Sequence, residues 1–408
     1  MPSDSSSFLT YAERRFRLSG KALIENGHPY FVPTDTLEEA SAQWPEGYLS
    51  MSHYDYLGLM HDPQTTEAAK QAIDRHGTGV GGSRLVGGER SAHRAFENAM
   101  AEFLGVGGVL TIISGYLTNF SLIGHVLGSK DLVIADELSH NSIIMGCKSG
   151  RFDFRTYPHN DLAELDRFLD AHRGDYARVL IATDGLFSMD GDLTDLPRLL
   201  DIKEKHDAWL LLDEAHSYGV LGQTGRGLCE HFDVDPKRVE LTVGTLSKSF
   251  ASSGGFIAAE AEVIEWLRFT LPGFVFSVGL PPATIASAHA ALDKLCEEPW
   301  RVTRLRGNSQ YFVKAAQAAG LNTGDAVGEA VVPILFETPA ECIFVAEALM
   351  ESGIYAPPVV HVDIPKDAPR IRFFISASHS TADLDRVIRR VSEALALCRR
   401  DEDRISAE

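Results

Sequence analysis

The chain has 408 residues, of which 44% are hydrophobic and 23% charged, a composition typical of folded globular proteins and not of disordered ones. Its formal net charge of −19 at pH 7 would repel polyphosphate and therefore excludes a broad nucleic-acid-binding face. The sequence predicts no signal peptide and no membrane span, and its five scattered cysteines, without a CxxC pair, predict reduced thiols in a cytoplasmic protein.

The pattern along the chain predicts three parts, of which residues 1–60 form an N-terminal arm. Short apolar runs then alternate with helical stretches over residues 61–290. Apolar runs without polar alternation are typical of strands buried on both faces, and their alternation with helices predicts an α/β domain with a large, mostly parallel sheet. The predicted strands are 132–135, 179–183, 209–213, 241–243 and 256–258, and the clearest helices between them are 161–172 and 194–206.

The pattern changes after about residue 290, and residues 291–408 predict a smaller α+β domain. The expected elements around and within it are helices at 281–296 and 299–319, strands at 331–336 and 370–375, and an amphipathic helix at about 381–399.

Several familiar motifs are absent or out of context. Gly77, Gly79 and Gly82 fit the dinucleotide-binding pattern GxGxxG, but they follow a predicted helix instead of a strand. The DEAH run at 213–216 lacks the phosphate-binding loop that a helicase needs. Neither HExxH nor GxSxG occurs, so the sequence predicts no metal site and no α/β-hydrolase nucleophile.

Chemistry-bearing side chains follow three of the predicted strands. Lys248 lies among small residues and hydroxyls, and is either a solvated lysine or a desolvated one whose lowered pKa makes the amine a nucleophile. Asp213 ends a buried strand, where α/β sheets place ligands, and His216 follows three residues later. His140 comes after a third strand and is either structural or stacked on a flat ring.

A fourth feature is the step from Ser114 to Gly115, where an apolar run meets a helical segment. Free backbone N–H groups at a helix start bind phosphate, although an ordinary N-cap serine explains the same pattern.

An amine, a carboxylate, an imidazole and a phosphate loop together suit a ring that carries an aldehyde, a nitrogen, a hydroxyl and a phosphate. These are the groups of pyridoxal 5′-phosphate (PLP).

Over about residues 14–390 the chain resembles the α-oxoamine synthase family of fold-type I PLP-dependent enzymes, such as 8-amino-7-oxononanoate synthase, 2-amino-3-ketobutyrate CoA ligase and serine palmitoyltransferase. The segments that carry the resemblance are DYLGL at 55–59, GVGGSR at 79–84, DGLFSMDGD at 184–192, DEAH at 213–216, GTLSK at 244–248, LPP at 280–282 and RIRFFISASH at 370–379. The resemblance implies a PLP-transferase fold and a homodimer whose two subunits share the active site.

The resemblance also implies roles for particular residues. Lys248 would bind the cofactor aldehyde covalently and act as the catalytic base, and Asp213 would hold the ring nitrogen. The other implied contacts are His216 and Ser188 to the ring hydroxyl, His140 stacked on the ring, Ser114, Gly115, Tyr116, Thr245 and Ser247 to the phosphate, and Arg372 to the carboxylate of an amino acid substrate.

The implied reaction is a decarboxylative condensation of an amino acid with acyl-CoA, or with an acyl carrier protein, to give an α-amino ketone. A PLP-dependent aminotransferase and a glycine C-acetyltransferase are the enzyme alternatives, and a catalytically silent paralogue is the alternative from another class.

Two positions depart from the family pattern. Tyr54 stands where glycine-using members have asparagine and serine palmitoyltransferases have tyrosine, which disfavours glycine and leaves serine or alanine open. Ser277 and Val278 replace a pair of hydroxyl residues, so Ser277 either reaches the phosphate site of the second subunit or that contact is lost.

Overall fold

The computed structural model describes residues 7–19, 30–360 and 368–407. In these ranges the strands are β1 (Leu49–Ser50), β2 (Gly108–Ile112), β3 (Leu132–Asp136), β4 (Asp153–Tyr157), β5 (Val179–Asp184), β6 (Trp209–Asp213), β7 (Leu241–Thr245), β8 (Gly255–Ala259), β9 (Val331–Leu335), β10 (Ile354–Tyr355), β11 (Pro358–Val359) and β12 (Arg370–Phe374). All five strands predicted for the large domain are present, each within two residues of its predicted bounds.

Seven strands form the central sheet in the order β2-β8-β7-β6-β5-β3-β4. Neighbouring strands are parallel except where β8 pairs with β2 and β7, to both of which it is antiparallel. The prediction of a large, mostly parallel sheet is therefore confirmed. The sequence does not predict the edge strand β4, because that strand mixes charged and apolar residues and buries only Tyr157 fully.

The apolar character of the central strands follows from packing on both faces of the sheet. In β6, Leu210 and Leu212 belong to one hydrophobic cluster and Leu211 to another. Side chains of a strand alternate between the two faces, so a strand covered by helices on both sides must be apolar at every position.

The helices within the described residues are Phe8–Ser19, Thr34–Glu39, Pro63–His76, Ser91–Leu104, Gly115–Val126, Asn141–Cys147, Leu162–His172, Leu196–Lys205, Leu228–His231, Ala261–Thr270, Pro272–Val275, Pro282–Glu297, Trp300–Ala318, Pro339–Glu351 and Thr381–Ala407. The last helix extends beyond its predicted end near residue 399, since its sequence contains neither glycine nor proline. In the described part of the chain, no helix is both long and apolar enough to cross a bilayer.

A smaller antiparallel sheet, in the order β11-β12-β9, contains the two strands predicted for the C-terminal part. β1, from the N-terminal part of the sequence, pairs with β10 in parallel. The division into residues 1–60, 61–290 and 291–408 stays a prediction.

The direction of the parallel strands determines where functional side chains collect. β3, β5, β6 and β7 end at the same edge of the sheet, on Asp136, Asp184, Asp213 and Thr245. The register of β5 on β6 places Asp184 directly beside Asp213. Three acids and a hydroxyl therefore lie at the edge where open α/β sheets bind ligands.

Candidate active site

A cavity of about 710 Å³ opens at this edge of the central sheet. The predicted site residues that line it are Tyr54, Ser114, Gly115, Tyr116, His140, Ser188, Asp213, His216, Thr245, Ser247, Lys248 and Arg372. Ser277 is not among them, because it lines a separate, small cavity beside Arg84. The fold thus brings together residues that are spread over more than 300 positions of the sequence.

Lys248 lies in the tight loop between β7 and β8, in which Ala251 N donates to Lys248 O at 2.9 Å. Its Nζ lies 5.6 Å from the centre of the Tyr54 ring. Burial lowers the pKa of Lys248 to about 8; the carboxylates of Asp213 and Asp184 oppose this shift, and the positive charge of Arg372 adds to it. Near neutral pH a larger share of this amine is unprotonated than for an exposed lysine, and an unprotonated amine is a nucleophile and a base.

Asp213 is held in place from two sides. Nδ2 of Asn119, on the helix Gly115–Val126, donates to Asp213 Oδ2 at 2.6 Å, and Ala215 N donates to Oδ1 at 2.8 Å. The same Asn119 amide donates to Ser142 Oγ at 3.0 Å. A carboxylate with both oxygens engaged keeps one orientation toward the cavity.

His216 contacts the buried hydroxyl of Tyr56, whose oxygen is 2.6 Å from His216 Nδ1. The edge of the Tyr54 ring also packs against the imidazole, with ring centres 6.0 Å apart. Burial, followed by repulsion from Lys248 and Arg372, lowers the pKa of His216 well below its usual range. The imidazole is therefore neutral, and Nε2 is the ring nitrogen that Tyr56 leaves available to the cavity.

His140 begins the helix Asn141–Cys147, where its Nδ1 accepts from Ser142 N at 3.3 Å. Its backbone N donates to Asp184 Oδ2 at 2.9 Å, which ties the histidine to the end of β5. The Tyr116 ring lies edge-on to the imidazole at 6.4 Å. Burial, and then repulsion by Asp213, raises the pKa of Asp184 well above its usual range.

One end of the cavity has the features of an anion subsite. Ser114 caps the helix Gly115–Val126, whose first backbone N–H groups have no partners within the helix. Thr245 Oγ1 and Ser247 Oγ, 2.9 Å apart, lie beside it. A Cβ at position 115 would lie 3.0 Å from Thr245 Oγ1. Glycine at this position therefore lets the start of the helix and the Thr245 hydroxyl lie close together. A helix start with flanking hydroxyls suits a phosphate group.

The two arginines of β12 have different surroundings. Arg370 is buried and donates to Asp190 Oδ1 at 2.5 Å and to Met189 O at 3.0 Å. Arg372 donates to Ser188 O at 2.9 Å and lines the cavity. Within the described residues, Nε of Arg372 has no hydrogen-bond partner. Arg372 can therefore bind a carboxylate, whereas Arg370 already has one.

Sequence reasoning missed three residues that hold the predicted ones: Asn119, Tyr56 and Asp184. Asp184 ends a buried strand just as Asp213 does, so the strand-end argument applied to β5 would have found it. Asn119 lies one helical turn after Gly115, but nothing in the sequence indicates which strand end it faces. The contact of Tyr56 with His216 joins positions 160 apart and has no local signal.

The chemistry of these donors fits PLP. The amine of Lys248 matches the aldehyde, the fixed carboxylate of Asp213 matches the ring nitrogen, and the helix start at Gly115 matches the phosphate. The three features are distinct and share one cavity large enough for a ring and an amino acid.

Comparisons with known proteins agree with this fit. Residues 46–391 match the family model for aminotransferase class I and II. The 8-amino-7-oxononanoate synthase of Geobacter sulfurreducens is 40% identical over 336 residues, which cover 82% of this chain and 85% of that protein. The corresponding protein of Thermoanaerobacter pseudethanolicus is 36% identical, with 84% and 86% covered.

Solved structures of serine palmitoyltransferase share the fold. The Sphingomonas wittichii enzyme superposes with a TM-score of 0.86 at 29% identity, covering 96% of this chain and 97% of that one. A serine palmitoyltransferase solved with PLP gives a TM-score of 0.81 at 29% identity, covering 85% and 87%.

Proposed function

The chain belongs to the α-oxoamine synthase family of PLP-dependent enzymes, and from that premise we propose that Lys248, Asp213 and Arg372 carry out its reaction. That reaction is a decarboxylative condensation of an amino acid with an acyl thioester. The acyl carbon bonds to Cα, the thiol leaves, the carboxyl group leaves as CO₂, and Cα regains a proton. The product is an α-amino ketone.

PLP, when bound, supplies a ring that takes up the electron pair left when the Cα–H bond of the amino acid breaks. The amine of Lys248 would hold the cofactor and, when free, would accept the Cα proton as general base. Asp213, fixed by Asn119 and Ala215, would keep a proton on the ring nitrogen.

The other cavity residues position the reactants. Arg372, whose Nε has no hydrogen-bond partner in the described part of the chain, would bind the carboxylate of the amino acid. His216 and Ser188 would contact the ring hydroxyl, and His140 would stack on the ring. The start of the helix Gly115–Val126, with the hydroxyls of Thr245 and Ser247 beside it, would hold the phosphate.

The observation that carries this proposal is a buried lysine of lowered pKa facing a fixed carboxylate and an anion subsite in one cavity. The test is a matrix of amino acids against acyl thioesters, read by thiol release and product mass. We expect thiol release only when both substrates are present. Amino-group transfer to a keto acid, without thiol release, would instead identify an aminotransferase.

The names of the relatives point to the substrates. 8-Amino-7-oxononanoate carries its amino group on the carbon next to a terminal methyl, and its oxo group ends a seven-carbon carboxy-acyl chain. Cutting the bond between those two carbons and restoring the CO₂ lost in the condensation gives alanine and a dicarboxylic acyl thioester. We therefore propose alanine as the first amino acid candidate and serine, the substrate in the name of the structural relatives, as the second.

Tyr54 is proposed to set the choice of amino acid. Its ring packs against Phe374 at 4.6 Å and against His216 at 6.0 Å, beside Lys248 Nζ, so its bulk limits the space next to the reacting amine. We expect Tyr54→Asn to raise kcat/KM for glycine relative to alanine about tenfold, because it restores the asparagine of the glycine-using members, whose amide would contact the substrate carboxylate. Thiol release with each amino acid measures the ratio; an unchanged ratio would show that Tyr54 only packs.

The lowered pKa of Lys248 predicts how cofactor uptake depends on pH. Only the unprotonated amine attacks the aldehyde, and its share rises with pH and reaches half at about 8. We expect the rate of PLP uptake by cofactor-free protein to rise through pH 8 and level off above it. Stopped-flow absorbance between pH 6 and pH 10 measures this rate, and a rate still rising steeply at the upper limit would indicate an ordinary solvated lysine.

A homodimer is proposed because the neighbours of Ser277 are exposed and apolar. Phe276 is 85% and Val278 52% accessible, and a second copy covering them would bring Ser277 toward the phosphate subsite of that second copy.

None of the five cysteines, all within the described part of the chain, forms a disulfide, which supports a cytoplasmic location.

A further inference from the structure

The loop that follows β5, residues 185–193, is held between the two sheets. Asp192 on this loop contacts His159 Nε2 at 2.9 Å, on the side of the central sheet. Arg370 and Arg372 hold the loop from β12, on the side of the small sheet. Residues two apart in a strand point to the same face, so both guanidinium groups reach the same loop.

The loop also carries a carboxylate close to the cavity. Asp190 follows Ser188 and Met189, which both line the cavity, and it bonds to Arg370 Nη1 at 2.5 Å. In this ion pair the side chain of Arg370 is 3% and that of Asp190 24% accessible, so water screens the two charges poorly. Arg370 donates in addition to the carbonyls of Ala368 and Met189, which fix its guanidinium.

We propose that Arg370 is a positioning residue that keeps Asp190 away from Arg372, so that Arg372 stays available for the carboxylate of the amino acid substrate. Arg372 already bonds to Ser188 O, two residues from Asp190. Without Arg370, the next cation on the same face of β12 is Arg372, and an intramolecular carboxylate competes with a dissolved one at high effective concentration. This inference rests on the proposed function, in which Arg372 binds that carboxylate.

The test compares single and double variants in the full-length, PLP-loaded protein. Arg370→Gln removes the charge and keeps a hydrogen-bond donor. We expect it to raise the KM for the amino acid and the Kd measured by spectral titration about tenfold, with kcat changed less than threefold. Arg370→Gln/Asp190→Asn removes the competing carboxylate and is expected to return both constants to within about threefold of the unsubstituted protein.

A matched control removes an ion pair elsewhere in the C-terminal part. Arg399, on the last helix and not among the residues that line the cavity, bonds to Glu341 and Glu337, and Arg399→Gln is expected to leave KM and Kd unchanged. The proposal is overturned if Arg370→Gln leaves KM unchanged, or if the double variant binds the amino acid as weakly as the single one. If the double variant binds the amino acid as weakly as Arg370→Gln, and both variants have a lowered melting temperature, Arg370 has a purely structural role.

The titration also separates this inference from the proposed function. It follows binding of the amino acid without an acyl donor, so it reports on Arg372 whether or not a thiol is released. If no thioester gave thiol release, the proposed condensation would be refuted. A restored affinity for the amino acid in the double variant would still support the role of Arg370.

Discussion

Replacing Lys248 with alanine is expected to lower turnover about 10⁴-fold or more. The substitution removes the amine that attaches the cofactor and the base that accepts the Cα proton, and a positioned base alone contributes about 10²–10⁴-fold. Thiol release with the best amino acid and thioester measures the loss. The fold should tolerate the change, because the loop is held by backbone hydrogen bonds such as those of Leu246 and Ser252.

Borohydride reduction gives a direct readout of the same lysine. Reduction of the loaded protein should fix the cofactor to the peptide that contains Lys248, and peptide mapping should find no label in Lys248→Ala. Lys148, an exposed lysine at the end of the helix Asn141–Cys147, provides the matched control: Lys148→Ala should keep both activity and label. A label on any other residue would contradict the assigned site.

The second large effect is expected for Asp213→Asn, which should slow Cα proton removal about 10³-fold while PLP still binds. A carboxylate a few ångströms away strengthens the hold of a ring nitrogen on its proton by up to about 10³-fold, and an uncharged amide does not. Rapid-mixing absorbance with solvent deuterium exchange at Cα measures this step separately from cofactor affinity.

The site can accept this amide without collapse. Asn119 Oδ1 is buried and has no hydrogen-bond partner among the residues that the structure describes, so a flip of the Asn119 amide would present an acceptor to the new side chain. Asp195→Asn, at the exposed start of the helix Leu196–Lys205, is the matched control, since asparagine also caps a helix. Near-native exchange in Asp213→Asn would refute the role assigned to the carboxylate.

The sequence predicted the strands of the central sheet more completely than it predicted the residues that support the site. Runs such as 209–213 could be predicted because burial on both faces requires apolar residues at every position. The N-terminal helix Phe8–Ser19 and the edge strand β4 were missed, since both are partly exposed and carry mixed side chains. Lys248, Asp213 and His140 could be located because strand ends follow directly from the strands.

The supporting residues depended on contacts that local sequence does not encode. Asp190, which lies 180 positions from Arg370 in the sequence, forms an ion pair with it, and of the two arginines only Arg372 is among the residues that line the cavity. The resemblance implies that Arg372 binds the substrate carboxylate, and that role stays a prediction.

The amino-acid sequence by itself determined the α/β class, the strand ends and the kinds of group that meet there, because these follow from local hydrophobicity and chain direction. Tertiary structure alone decided the lowered pKa of Lys248, the partners of Asp213 and His216, and the position of Arg372 in the cavity lining. These properties arise from burial and from contacts between distant segments, and both exist only in the folded chain.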